Sequence, residues 1–150
     1  MFFIERQIRA LGKFIGTYFV HNNIRIKILK RPLSERVGGF DLANCVLKKI
    51  AGSGKSVYLF GGKPGVAEKA SKKICKLYPG TVICGTADGY FDDKKEKEII
   101  EDINQKKPDL LFVCLGFPKQ EIWLDKHKDE LLAKVCMGLG GSLDVFAGNV

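Results

Sequence analysis

The chain has 150 residues, of which 45% are hydrophobic and 28% charged, and its formal net charge is +8. That is enough chain for one domain with a core, and the composition excludes a disordered polymer or a disulfide-rich secreted scaffold. The charge is uneven: residues 1–36 hold eight Lys/Arg against Glu5 and Glu35 (8 − 2 = +6), and the remainder holds 17 against 15 (+2). A basic arm on a nearly neutral body suits an anionic surface, with phosphorylated ligand, acidic lipid and nucleic acid all open.

In chain order, Ile4, Ile8, Leu11, Ile15 and Tyr18/Phe19 recur at helical spacing, with Arg6, Arg9 and Lys13 mostly off that stripe. This pattern predicts a basic amphipathic helix over residues 2–19. Its charges break any secretory apolar region and any membrane span, which needs about 20 apolar residues. Residues 24–30 alternate Ile with basic residues and read as an edge strand. Arg31–Phe40 is a loop in which Arg36, beside paired glycines, can fork onto a phosphate or carboxylate or form a surface salt bridge. Asp41 is expected to cap a helix over Leu42–Ala51 that ends at Gly52. The following GSGKS is not a phosphate-binding P-loop, because Lys49 stands where the first glycine belongs and the apolar strand follows the motif instead of preceding it.

From there strands and helices alternate. The expected strands are 57–60, 81–84, 110–115 and 134–139; the expected helices are 66–77, 93–106 and 119–132. Pro118 suits the first turn of the helix after the third strand, where its missing N–H costs nothing. Such alternation means βαβ units and a parallel sheet, so the expected class is α/β: a Rossmann-like parallel sheet flanked by helices, with the basic helical arm in front. Residues 1–30 form the arm in this reading, and 31–150 the domain.

All four strand-to-helix segments are glycine-rich and fall on the carboxyl edge of the sheet: GGKPG (61–65), GTADGYF (85–91), GFPKQE (116–121) and GGSLD (140–144). That edge is where α/β proteins bind anionic ligands. Gly61, Gly62, Gly140 and Gly141 allow close backbone approach; Lys119 and Gln120 stand on a first helical turn; Asp88 and Asp144 are the rim carboxylates. Each carboxylate is a candidate general base or hydroxyl acceptor, or else a turn residue. No GxGxxG follows the first strand, which disfavours a nicotinamide-dependent oxidoreductase. His21 and His127 lie far from the glycine loops, and His127 is expected to be solvated. The five cysteines form no CxxC pair and are expected to be buried thiols in a reducing compartment.

The segments SERVGGFDL (34–42), LFGGKPGVAEKA (59–70), YPG (78–80), GYF (89–91), LGFPKQEIW (115–123) and GLGGSLDVFAG (138–148) together resemble the WecG/TagA/CpsF glycosyltransferase family. The resemblance covers roughly residues 30–150. It implies a Rossmann-like, inverting enzyme that works without bound metal or other cofactor at the cytoplasmic face of the bacterial plasma membrane. Such an enzyme transfers N-acetylmannosamine or a related sugar from a UDP-sugar to a polyprenyl-diphosphate-linked acceptor, for teichoic acid or other surface polysaccharide. Carried over by motif, Arg36 would bind phosphate or sugar, Gln120 would hold the donor, and Asp144 would contact nucleotide or sugar. Gly61, Gly62, Gly140 and Gly141 would shape the nucleotide pocket, with Lys119 beside them.

The chain departs from the family at both ends. The aspartate that would act as general base should fall about eighteen residues before Arg36, where this sequence reads Gly16-Thr17-Tyr18-Phe19. The family's Arg-rich segment after DVFAG is also missing. The expectation is a chain truncated at both ends that keeps the donor half of the site, with Asp88 the weaker substitute for the base. The alternative is a non-catalytic module that binds nucleotide-sugar or an anionic surface. Nucleic acid is disfavoured because the arm's aromatics follow a helical stripe, not a stacking platform; an oligomer is compatible with the sequence.

Overall fold

A computed structural model describes the backbone of residues 18–21 and 24–27, and residues 38–150 in full. The chain divides into two units, Met1–Arg36 and Val37–Val150. In the first unit, β1 (Tyr18–His21) and β2 (Ile24–Lys27) pair antiparallel, Tyr18 opposite Lys27 and His21 opposite Ile24. Tyr18 and Phe19 therefore belong to a strand and not to the expected helix. The missed signal was Asn22-Asn23, turn-forming residues between two runs rich in β-branched and aromatic side chains. The rest of the expected helix, residues 28–30 of the expected strand, and Arg36 lie outside the described residues.

The second unit runs α1 (Gly39–Ile50), β3 (Ser56–Gly61), α2 (Val66–Leu77), β4 (Val82–Ala87), α3 (Asp93–Lys106), β5 (Leu110–Cys114), α4 (Lys119–His127), β6 (Val135–Gly138) and α5 (Ser142–Ala147). The four strands form one parallel sheet in the order β4-β3-β5-β6. This is the α/β architecture expected from the strand–helix alternation. In β3 and β5 every side chain from Val57 to Phe60 and from Leu110 to Cys114 is buried, as central parallel strands require. Alternate residues feed two cores. Val57, Leu59 and Phe112 pack with Leu47 of α1, Ile74 of α2 and Leu143 of α5; Tyr58, Phe60 and Leu111 pack with Ile100 and Ile103 of α3 and Trp123 of α4. Each large side chain so buried contributes about 1.5–3 kcal/mol.

Three element boundaries differ from expectation for identifiable reasons. Helix α1 starts at Gly39, not after an Asp41 cap, because Phe40 packs on Phe146 of α5 with ring centroids 4.8 Å apart. Strand β4 continues through Gly85, Thr86 and Ala87, which pair with Tyr58, Leu59 and Phe60. Gly85 is required there: a Cβ would sit 2.4 Å from the Tyr58 ring. Helix α4 ends at His127 because Asn104 of α3 donates to the Glu130 carbonyl at 2.8 Å and accepts from the Leu132 N–H at 2.7 Å, fixing the chain beyond it as a turn. Pro118 sits just before α4, after a cis Phe117–Pro118 bond.

The cysteines are mostly not buried. Cys114 is, Cys84 is half-buried, and Cys45, Cys75 and Cys136 are exposed. Cys45 and Cys75 stand at exposed positions of α1 and α2, and Cys136 stands on β6, the last strand of the described sheet.

Candidate functional site

The sheet order creates the site. From β3 the chain turns to α2 on one face; from β5, the neighbouring strand, it turns to α4 on the opposite face. A crevice opens at the carboxyl ends of strands whose connections diverge in this way. Here it is an open cleft of about 710 Å³, within the range of ligand sites. All four glycine loops line it: Gly62 and Lys63 after β3; Gly89, Tyr90 and Phe91 after β4; Leu115, Gly116 and Lys119 after β5; Gly140, Gly141 and Asp144 after β6.

Hydrogen bonds stitch these loops together. The Gly62 N–H donates to the Cys114 carbonyl at 3.2 Å, and the Gly89 N–H donates to the Gly62 carbonyl at 2.8 Å. The Lys119 ammonium donates to the Gly89 carbonyl at 3.1 Å and stands 4.6 Å from the centre of the Phe91 ring. The Gly140 N–H donates to Gln120 Oε1 at 2.8 Å. Gly61 shows how tight the seam is: at φ +132° its missing Cβ would fall 2.3 Å from the Cys114 carbonyl oxygen.

The expected site residues divide by position. Gly62, Lys119, Gly140, Gly141 and Asp144 border the cleft directly. Gly61 lies one residue behind it. Gln120 is buried at 2% exposure and acts as a strut, its Oε1 on Gly140 and its Nε2 donating to Glu121 Oε1 at 2.7 Å. The other Glu121 oxygen is buried with no hydrogen-bond partner among the described residues. Asp88 does not border the cleft. It accepts the Tyr90 N–H at 2.9 Å and Lys95 Nζ at 2.8 Å. Partial burial pushes this carboxyl up, but the Lys95 and Tyr90 hydrogen bonds outweigh it and hold it below the usual aspartate value. Asp144 stands in the first turn of α5 and accepts from Asn149 Nδ2 at 3.3 Å.

His127 is buried at 5% exposure and not solvated. Its Nε2 lies 3.1 Å from Glu96 of α3, its Nδ1 contacts Glu130, and its ring lies 4.9 Å from that of Trp123. Read alone, α4 looks polar there; the acceptor comes from α3. Sequence reasoning also passed over Lys63, Tyr90 and Phe91 as cleft residues. Their signal was the loop segments GGKPG and GYF, but nothing local shows that Lys119 will lie over Phe91. Among the described residues no cluster of three His, Cys, Asp or Glu could hold a metal ion.

The family model described as "Glycosyl transferase WecG/TagA/CpsF family" matches residues 23–150. The chain belongs to the WecG/TagA/CpsF family. Among the curated members it resembles, a Bacillus spizizenii protein is 36% identical over 124 residues, covering 83% of this chain and 48% of that protein. A Staphylococcus aureus protein is 38% identical over 120 residues, covering 80% of this chain and 46% of that protein. Both are named N-acetylglucosaminyldiphosphoundecaprenol N-acetyl-beta-D-mannosaminyltransferase. The chain thus spans about half the length of the curated WecG/TagA/CpsF relatives it matches. No helix among the described residues is long and apolar enough to cross a membrane.

Proposed function

We propose that the cleft receives a UDP-sugar and that this protein takes part in transferring N-acetylmannosamine, or a related sugar, to a polyprenyl-diphosphate-linked sugar acceptor at the inner face of the plasma membrane. The observation that carries this reading is the stitched glycine rim at the sheet's switch point, with Lys63 and Lys119 at its mouth. In this reading Lys119, fixed by Gly89 and Phe91, turns its remaining N–H donors to the diphosphate. The Gly61–Gly62 and Gly140–Gly141 backbones let that group approach closely. Asp144 accepts from a ribose or sugar hydroxyl, and Gln120 supports the site through Gly140.

The acceptor oxygen bonds to the anomeric carbon as the bond from that carbon to the β-phosphate oxygen breaks. Its electron pair leaves on UDP, where the lysine charges stabilise it, and the configuration inverts. The acceptor proton needs a base. Asp88 is poorly suited, because Lys95 and the Tyr90 N–H already occupy its carboxylate. A transferase lacking that base loses about 10²–10⁴ in rate. The engagement of Asp88 therefore favours one second reading, a donor-binding module without turnover.

Calorimetric titration with UDP-N-acetylmannosamine, using ADP and NAD as controls, tests the assignment. Selective uridine-sugar binding is expected, with Gln120→Ala weakening it about tenfold by releasing the Gly140 loop. Equal affinity for all three ligands, or an unaffected Gln120→Ala variant, overturns the site. UDP release in the presence of a polyprenyl-diphosphate sugar then separates transferase from module.

A further inference from the structure

Helix α2 carries Lys69, Lys72, Lys73 and Lys76, spaced i, i+3, i+4 and i+7, and all four are exposed. That spacing puts them on one face of the helix. Among the described residues none of the four pairs with a carboxylate. Lys69 donates to the neutral Asn149 Oδ1 at 2.9 Å, and Lys73 lies against Gly148 at the end of α5. The one acid on the helix, Glu68, accepts from the Thr86 hydroxyl of β4 at 3.4 Å and stands one turn before Lys72, so four lysines on this side of the helix are set against a single carboxylate. The stripe covers about 10 Å, from seven residues at 1.5 Å each. Like charges that close repel across any physiological Debye length and weaken the helix that bears them. A face with this excess of positive charge suits an anionic surface.

We propose that the lysine face of α2 docks this protein on a bilayer rich in anionic phospholipid. Three observations favour a bilayer over a polynucleotide. Leu77, next to Lys76, is a large apolar side chain left 63% exposed, suited to the headgroup region. The helix bears no aromatic side chain on which a base could stack. And α2 begins directly after the Lys63–Gly65 loop at the mouth of the cleft, so docking along α2 brings the cleft to the lipid layer. The choice of partner rests on the lipid-linked acceptor proposed above; the stripe itself does not.

The test is cosedimentation of the full chain with phosphatidylglycerol/phosphatidylcholine vesicles and with phosphatidylcholine alone. It compares two double variants of equal net charge: Lys72→Gln/Lys76→Gln on α2, and Lys94→Gln/Lys97→Gln on α3. Each lysine near an anionic surface contributes about fivefold to partitioning. The α2 pair is therefore expected to lose at least about tenfold in binding to phosphatidylglycerol vesicles, and the α3 pair less than about twofold. Equal losses, or none, overturn the proposal. So does an α2 variant that keeps vesicle binding but loses binding to single-stranded RNA in fluorescence anisotropy. UDP-N-acetylmannosamine titration of the same samples should be unchanged by the α2 pair. Absence of uridine-sugar binding in the parent chain counts against the transferase reading alone, because the vesicle comparison contains no donor or acceptor.

Discussion

Helices α2 and α3 cover opposite faces of the same sheet and carry four lysines each, yet they use them in opposite ways. Helix α3 also holds Asp93, Glu96, Glu98, Glu101 and Asp102, and its charges are largely spent inside the unit. Lys95 meets Asp88 at 2.8 Å, Lys106 meets Asp102 at 2.7 Å, and Glu96 takes both Lys126 and His127 of α4. Helix α2 has one acid and no ion pair among the described residues. A residue count would call the two helices alike in lysine content. The placement of the acids makes one a structural strut and leaves the other facing outward.

Removing a charge should therefore cost stability on α3 and not on α2. The largest effect is expected at Asp102, which accepts the hydroxyl of buried Tyr58 at 2.7 Å. Burial, reinforced by that hydrogen bond, pushes the Tyr58 phenol well above its ordinary range. Asp102→Ala strands the hydroxyl and should cost about 1–3 kcal/mol in urea unfolding, while adding Tyr58→Phe should recover most of it. An Asp102→Ala variant as stable as the parent would break the comparison.

A smaller, pH-dependent effect should come from the carboxylates held below their ordinary values. Burial raises Asp102 and Glu96, but lysine and other hydrogen bonds outweigh it in both. Lys134, with the Ser56 N–H, brings Asp109 down to about 2. A lowered folded value means stability fully present above the unfolded value near pH 4 and lost as pH falls through the folded one. Asp109→Asn should thus flatten the fall in stability between about pH 4 and 2; an unchanged acid profile would remove Asp109 from that account. The smallest effect is expected for Lys72→Gln/Lys76→Gln, within about 0.5 kcal/mol of the parent in the same unfolding assay. A larger loss would reveal an internal partner for the stripe.

What the sequence made legible was whatever local pattern decides. Helices α2 and α3 begin and end where their apolar spacing and flanking residues place them, and Asp92 caps α3 by accepting the Lys95 N–H at 2.8 Å. The convergence of four glycine loops followed from strand–helix alternation alone. What stayed hidden was decided across the chain. Gly85 reads as a turn until Tyr58 is seen to need the space, Asn104 ends a helix that is not its own, and Glu96 makes a buried group of His127. The site shows the same division. Its glycines were visible, but the role of Gln120 as a strut and the seat of Lys119 on Phe91 depend on residues far away in the chain.

The stitched rim carries one more implication. With Gly62, Gly89 and Lys119 joined bond to bond, and Gly62 bonded back to Cys114, three of the loops form a closed hoop, and Gln120 ties the Gly140 loop to it. A hoop resists adjustment one loop at a time, because an insertion in any loop pulls on the bond to the next. Change in the choice of sugar is therefore most accessible at side chains that project from the hoop without holding it together, such as Lys63, Tyr90 and Asp144, while the loop lengths remain as they are.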